Sequence, residues 1–365
     1  MPKRANSIVV GAVSTFLLCQ LNFLSKYTGQ QKLAEITDSA IVQSLDTISY
    51  SFSQIFDGGP NSTTNVNNVN NTNSKDKPPP SNTWLLNPTS SKTPTDITNT
   101  SITGAIPKLI NKIYFQKGSG FPPLESMSAN LTTAHKSWEI MNPGYTVRYW
   151  DLEKARNYLH QYFHPVFLRA FDCLPAFAAK SNLFRMALLY REGGWHSDWK
   201  QRCLRKNILL KITEATNIFA CYDMWSSNDY FPHKCVQNAF VGSIPQHPII
   251  AKDLEMILVN IQKVHYSKSA LDGTGTCVLG RAVHQSEEER NSTWFSKIAG
   301  TFVNDPTHGA VMSWNSEGIV QHKCKGCGGS GQSWGDSGNN YVELYKQRKY
   351  YCEDAASLFK TTMVW

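Results

Sequence analysis

AAKSNLFRMALLYREGGWHSDWK, residues 178–200, decides how this chain of 365 residues is read. Ala179, Leu183, Met186, Ala187 and Tyr190 fall at i, i+4, i+7, i+8 and i+11, one apolar stripe at helical period. The spacing predicts an amphipathic helix, with Asn182 and Arg185 three apart on another face and able to reach one ligand together. Gly193 and Gly194 suit the left-handed residue that ends a helix. A strand running on to Lys200 puts Trp195, Ser197 and Trp199 on one face and His196, Asp198 and Lys200 on the other. Such a polar triplet belongs at the lip of a cleft. The plain alternative is an amphipathic helix, a turn and an edge strand with no chemistry.

Strands and helices alternate around this block. Residues 110–115, 145–150, 218–222 and 239–242 read as strands; residues 152–163, 176–192 and 249–264 read as helices. The alternation predicts an α/β domain with a mostly parallel sheet, and a nucleotide would sit at the carboxyl ends of its strands. Upstream the chain changes character. Residues 61–103 are dense in Asn, Thr, Ser and Pro and cannot bury enough apolar surface to offset chain entropy. Residues 25–103 are therefore read as a flexible stem and 104–365 as the folded domain. Residues 1–24 begin with Lys3 and Arg4 and then run apolar from Ile8 to about Leu24. They read as a cytoplasmic tip and signal anchor, with a cleaved signal peptide as the alternative.

The order of residues in the 178–200 block resembles the DXD sugar transferases of glycosyltransferase family 32, which include fungal Golgi alpha-1,6-mannosyltransferases and alpha-1,4-galactosyltransferases. Their pattern is A-x-x-S-D-x-x-R-x-x-x-L-x-x-x-G-G-I/V-Y-x-D-x-D. Ala178, Ser181, Arg185, Leu189, Gly193, Gly194 and Asp198 match it. Flanking pieces agree in order: Ile106-Pro107-Lys108 before the first strand, Trp138 with Asn142-Pro143, Asn238 to Ser243 with His247-Pro248, and Thr274-Gly275. The resemblance covers roughly residues 105–345. Three positions depart from the pattern: Asn182 stands for an Asp, His196 for a Tyr, and Lys200 for the second acid of the DXD.

The resemblance implies a single GT-A domain, a Rossmann-like variant of the α/β plan. It also implies a retaining transferase that moves a hexose from a nucleotide sugar to a glycan acceptor on protein or lipid. A DXD pair holds Mn²⁺ or Mg²⁺ across the donor's diphosphate. Here Asp198 alone could ligate a cation, with His322 as a second metal ligand carried over from the family's C-terminal region and His196 as a further candidate. Lys200 could instead neutralise diphosphate charge itself, leaving metal needed weakly or not at all. Asn182, Arg185, Asn238 and Trp334 are the expected donor-binding residues. The plainer alternatives are a pairing of Arg185 with Glu192 and a turn role for Asn238. The rival to an enzyme is a transferase-shaped protein that binds glycan or nucleotide without turnover, favoured by the changes at Asn182 and Lys200.

Composition bounds the rest. The net charge of +8 comes from scattered lysines and arginines with no basic stripe, so nucleic acid is not an expected partner. Nine cysteines, eight of them beyond the apolar start, allow four disulfides in an oxidising lumen. Cys324 and Cys327, with His322 and Cys352, leave a zinc site as a minor alternative. Sequons at Asn61, Asn70, Asn99, Asn130 and Asn291 agree with luminal exposure. The expected location is the Golgi membrane, as a single-pass type II protein with its domain in the lumen.

Overall fold

The computed structural model describes residues 85–86, 104–117, 120, 126–224, 233–327 and 339–358. All of them belong to one compact unit, Pro78–Trp365. The expected signal anchor lies outside the described residues, as does the stem apart from Leu85 and Leu86. Among the described residues no helix is long and apolar enough to cross a membrane.

The first strand, β1 (Leu109–Ile113), is buried from Ile110 onward, although Asn111 and Lys112 stand at its centre. After it come α1 (Ala129–Met141), capped by Ser128, and β2 (Thr146–Trp150). Asp151 caps α2 (Leu152–Tyr162), and His164 with Pro165 starts α3 (Pro165–Cys173). Side-chain caps and a first-turn proline satisfy or remove donors that a helix start leaves open.

α4 (Phe177–Glu192) leads into β3 (Gly194–Ser197). The helix is not amphipathic as its spacing suggested. From Leu183 to Tyr190 every residue is buried, because neighbouring helices and the sheet enclose it on all sides. At the turn, Gly193 has φ +66° and Gly194 φ +89°. A Cβ on Gly194 would lie 2.9 Å from the Leu109 carbonyl oxygen, so the second glycine also lets β3 close on β1.

The chain continues through β4 (Arg202–Cys203), α5 (Ile208–Ala215), β5 (Ile218–Tyr222) and β6 (Val236–Ser243). The main sheet runs β2-β1-β3-β6-β5. β1 is parallel to β2 and β3, whereas β6 is antiparallel to β3 and β5. Four of the five strands of this sheet therefore point one way, as expected, and β6 returns between β3 and β5 in the opposite direction. One face packs under α2, α3, α4 and two later helices, α6 (Pro248–Gln262) and α7 (Thr276–Glu289). On the other face Trp138, Trp195 and Phe240 pack with α5 and a second sheet.

That second sheet was not expected. After the short α8 (Trp294–Ile298), β7 (Thr301–Asp305), β8 (Gly309–Trp314) and β9 (Glu317–Gln321) form an antiparallel meander. β4 joins its edge, with Arg202 opposite Gln321. Two short helices, α9 (Tyr341–Lys346) and α10 (Ala355–Leu358), close the described chain.

Among the described residues three disulfides form, where the cysteine count allowed four: Cys173–Cys352, Cys235–Cys277 and Cys324–Cys327. Cys203 and Cys221 stay as buried thiols on different strands. Because Cys352 pairs with Cys173, and Cys324 with Cys327, no zinc set remains around His322.

The stretch read as stem contributes to the core. Leu85 is fully buried, its carbonyl accepts from His164 N (3.2 Å), and Leu86 bridges to Phe163. Replacing Leu85 by Ala is expected to destabilise the domain by about 2–4 kcal/mol, the range for emptying a buried leucine site. Urea unfolding checks it, and an unchanged midpoint would show that this segment does not hold the domain.

Candidate active site

Asp198 follows directly on β3, where the strand ends one residue earlier at Ser197. The strand does not reach Lys200; Trp199 and Lys200 lie in a turn. That turn is held from below. The Asp198 amide donates to Ala239 O (2.8 Å) and to Gln201 Oε1 (3.1 Å), and the same Gln201 oxygen accepts from Ser197 Oγ at 3.0 Å. Lys112, fully buried in β1, donates through Nζ to Ser197 Oγ (2.8 Å) and to the Asp198 carbonyl (3.1 Å). Its ammonium also sits 4.6 Å from the centroid of Trp138. These contacts explain a lysine in the middle of a buried strand, since they fix the backbone beneath the carboxylate. Burial lowers its pKa from 10.5 to about 7.

The carboxylate is oriented through one oxygen. Arg185 Nη1 donates to Asp198 Oδ1 at 2.9 Å, and His196 Nε2 lies 3.0 Å from the same atom. Both of these contacts fall on Oδ1 and neither on Oδ2. Arg185 is itself buried and tied down, with Nη1 donating to Asn238 O (2.7 Å) and Nη2 to Ser181 Oγ (3.1 Å). It does not pair with Glu192, which takes Arg148 instead. Burial works to raise the pKa of Asp198. Arg185 and then His196 outweigh it and hold the carboxyl well below the usual carboxylate range. Burial, then the positive charge of Arg185, lowers His196 from 6.5 to about 4. The ring is therefore neutral near pH 7 and donates through Nε2, while its buried Nδ1 has no partner among the described residues.

These groups open onto a cleft. Its walls include Phe177, Ser181, Trp199, Lys200, His322 and Lys323. The second sheet brings the last two there. β9 pairs with β4, and a few residues on, Cys324 N donates to Lys200 O at 2.9 Å. The Trp199 ring lies 4.8 Å from Tyr114 and 4.2 Å from His135, and this aromatic packing fixes its side of the cleft.

A divalent cation, which a DXD implies, meets a poor donor set. Asp198 Oδ2 and the buried Nδ1 of His322, unpartnered among the described residues, are the atoms on offer. The second acid is Lys200, and Lys323 lines the same cleft. No group of three or more His, Cys, Asp or Glu side chains suited to a metal occurs among the described residues. These side chains do not fit a resident metal.

Of the residues expected from the sequence, Arg185, Asp198, Lys200 and His322 line one cleft. His196 is buried behind Asp198 rather than at the lip, because β1 and β6 flank its strand. Asn182 and Asn238 stand one layer back. Asn238 Nδ2 donates to Asn182 Oδ1 (3.2 Å), and Asn182 Nδ2 donates to Thr274 Oγ1 (3.2 Å). Trp334 lies outside the described residues. Sequence reading missed Lys112, Gln201 and Lys323. A lysine inside an apolar strand was the one available signal; Gln201 and Lys323 gain their places only through tertiary pairing.

Residues 128–225 match the family described as the glycosyltransferase sugar-binding region containing DXD motif. An uncharacterized glycosyltransferase of Acanthamoeba polyphaga mimivirus is 28% identical over 144 residues, 40% of this chain. The match spans 52% of that relative's length. Two solved structures show a distant likeness. The PaToxG glycosyltransferase is 17% identical over 53% of this chain and 73% of its own, with TM-score 0.38. The UDP-bound glycosyltransferase domain of the YGT toxin is 9% identical over 58% of this chain and 81% of its own, with TM-score 0.36. Likeness at those scores carries no argument. Residues 128–225 are thus similar to the sugar-binding region of DXD-motif glycosyltransferases.

The neutral, buried His196 has a consequence for stability. Between pH 6.5 and about 4 the unfolded chain takes up a proton at this residue that the native site refuses. Its contribution is complete above pH 6.5 and is lost as pH falls through that window. His135 and His247, each lowered to about 3 chiefly by burial, add to the loss. Thermal melts across the window should show a shallower acid slope for His196→Gln than for the parent; equal slopes would mean that His196 is charged in the native site.

Proposed function

We propose that the chain is a glycosyltransferase whose cleft binds a nucleotide sugar, with Asp198 facing the donor and a glycan hydroxyl as acceptor. The observation that carries this reading is the divided role of the Asp198 carboxylate. Oδ1 is saturated by Arg185 and His196, while Oδ2 is left for a ligand at the end of a strand. A structural ion pair needs no such asymmetry. The family match over residues 128–225 supports the same assignment.

In this reading Arg185 acts through Asp198, keeping the carboxylate ionised and aimed, and Asn238 and Asn182 brace Arg185 from behind. Transfer with retention breaks the bond between the anomeric carbon and the phosphate oxygen. It forms the bond to the acceptor oxygen on the same face, and the acceptor proton passes to the departing phosphate. Charge develops on that phosphate, so fixed donors near it lower the barrier. A hexose donor and a Golgi location with an N-terminal membrane anchor complete the proposal. Support for a lumen comes from the Cys173–Cys352 and Cys235–Cys277 disulfides and from the exposed sequon at Asn291.

The test is turnover by the full-length chain across a panel of nucleotide sugars, read as release of nucleoside diphosphate and as labelled product. Asp198→Asn keeps an oxygen for Arg185 and His196 but removes the counter-charge of the buried Arg185, so a thermal melt accompanies the assay and turnover is compared only for folded protein. Turnover should fall roughly 10-fold or more, the scale for weakening one hydrogen bond between the ligand and a charged group. Donor binding without turnover in the parent would instead favour a binding protein of transferase shape. Undiminished turnover in the variant would place the site elsewhere.

A further inference from the structure

Behind the cleft a run of polar side chains leads away from Arg185 toward the C-terminal segment. Asn238, in β6, holds α4 at two points one turn apart. Its carbonyl accepts from Arg185 Nη1 (2.7 Å), and its Nδ2 donates to Asn182 Oδ1 (3.2 Å). The other end of the Asn182 amide, Nδ2, donates to Thr274 Oγ1 at 3.2 Å. Thr274 Oγ1 in turn lies 2.7 Å from the Tyr350 hydroxyl. Arg185, Asn238, Thr274 and Tyr350 are all buried. Resting on the transferase reading above, we propose that Thr274 and Tyr350 are positioning residues for the reaction. Through Asn182 and Asn238 they hold Arg185 at the angle that aims the Asp198 carboxylate into the cleft.

The far end of this run is fixed. Asn260 Nδ2 donates to the carbonyls of Asp272 and Gly273, each at 2.9 Å, and so pins the loop that carries Thr274. A Cβ on Gly273 would lie 2.7 Å from Cε1 of Tyr350, so the tyrosine ring rests against the backbone of that loop. The Tyr350 amide donates to the Tyr266 hydroxyl at 3.0 Å, and two residues on Cys352 is bonded to Cys173 of α3. The near end is where the chemistry sits. Arg185 Nη1 serves both Asn238 O and Asp198 Oδ1, the latter at 2.9 Å, so a shift of Asn238 reaches the carboxylate through a single nitrogen. Asn182 uses both ends of its amide here, and losing the Thr274 bond frees that amide to turn away from Asn238. A buried polar group deprived of its partner moves to find another. A misplacement of about 1 Å at a reacting group is enough to slow a reaction severely.

Steady-state kinetics of the full-length chain, with a nucleotide sugar that the parent turns over, test the assignment in Tyr350→Phe and Thr274→Val. Each variant removes a hydroxyl and keeps the shape of the side chain. In each, kcat should fall roughly 3- to 10-fold, the value of one hydrogen bond, while KM for the donor changes by less than about twofold. Thr274→Ser keeps the hydroxyl and should run close to the parent. The double variant, T274V with Y350F, should lose no more than Thr274→Val alone, because the link it breaks second is already open. Rates are taken per folded protein from a thermal melt, and either single variant suffices if the other does not fold. Unchanged kcat in a folded variant would overturn this inference and leave the transferase reading standing. So would a raised KM at constant kcat, a Thr274→Ser protein as slow as Thr274→Val, or losses that multiply in the double variant. A parent that turns over no donor in the panel would overturn both.

Discussion

The bond from Arg185 to Asp198 is the constraint on which the rest of the site depends. A buried guanidinium cannot shed its proton, so the fold must give it a counter-charge. It does so with a carboxylate that is only half buried, on the one residue that steps out of β3 toward solvent. The pairing serves both partners: Arg185 is neutralised, and Asp198 stays ionised with one oxygen left open to the cleft. His196 adds a second donor to the bound oxygen and, being neutral, brings no further charge.

The surrounding architecture holds that arrangement in place. Twin glycines let β3 turn back sharply from α4 and lie against β1. β1 in turn supplies Lys112, whose ammonium grips the Ser197 hydroxyl and the Asp198 carbonyl together. Gln201 closes the turn from the other end and is itself held by the Trp138 indole, which donates to its carbonyl at 2.9 Å. The second sheet then sets His322 and Lys323 opposite. The site is thus a junction: one wall belongs to the α4–β3 unit and the other to the C-terminal meander, tied together by β4.

Much of the α4–β3 unit was legible in the sequence because its signals are local. Apolar spacing found the helix within a residue of its true start, and the double glycine marked its end. The strands of the main sheet were found for the same reason. What was missed is non-local. β6 runs antiparallel, and a strand's direction is set by where its neighbours lie rather than by its composition. The second sheet is assembled from short, half-exposed strands with weak alternation, and one of them, Arg202–Cys203, is two residues long. His196 was read as a lip residue because alternation gives a side and not a depth. Asn238 matched a family pattern and Asn182 stood where that pattern has an Asp, but their amides are spent on each other and on Thr274. Leu85 was invisible within a polar tract because a single buried leucine leaves no period.

A crystal structure of the full-length chain with a bound nucleoside diphosphate tests the central claim most directly. The account predicts the nucleoside diphosphate in the cleft beside Asp198, with the Arg185–Asp198 bond intact. Phosphates bound elsewhere, or an Asp198 carboxylate turned away from them and buried under another segment, would contradict it.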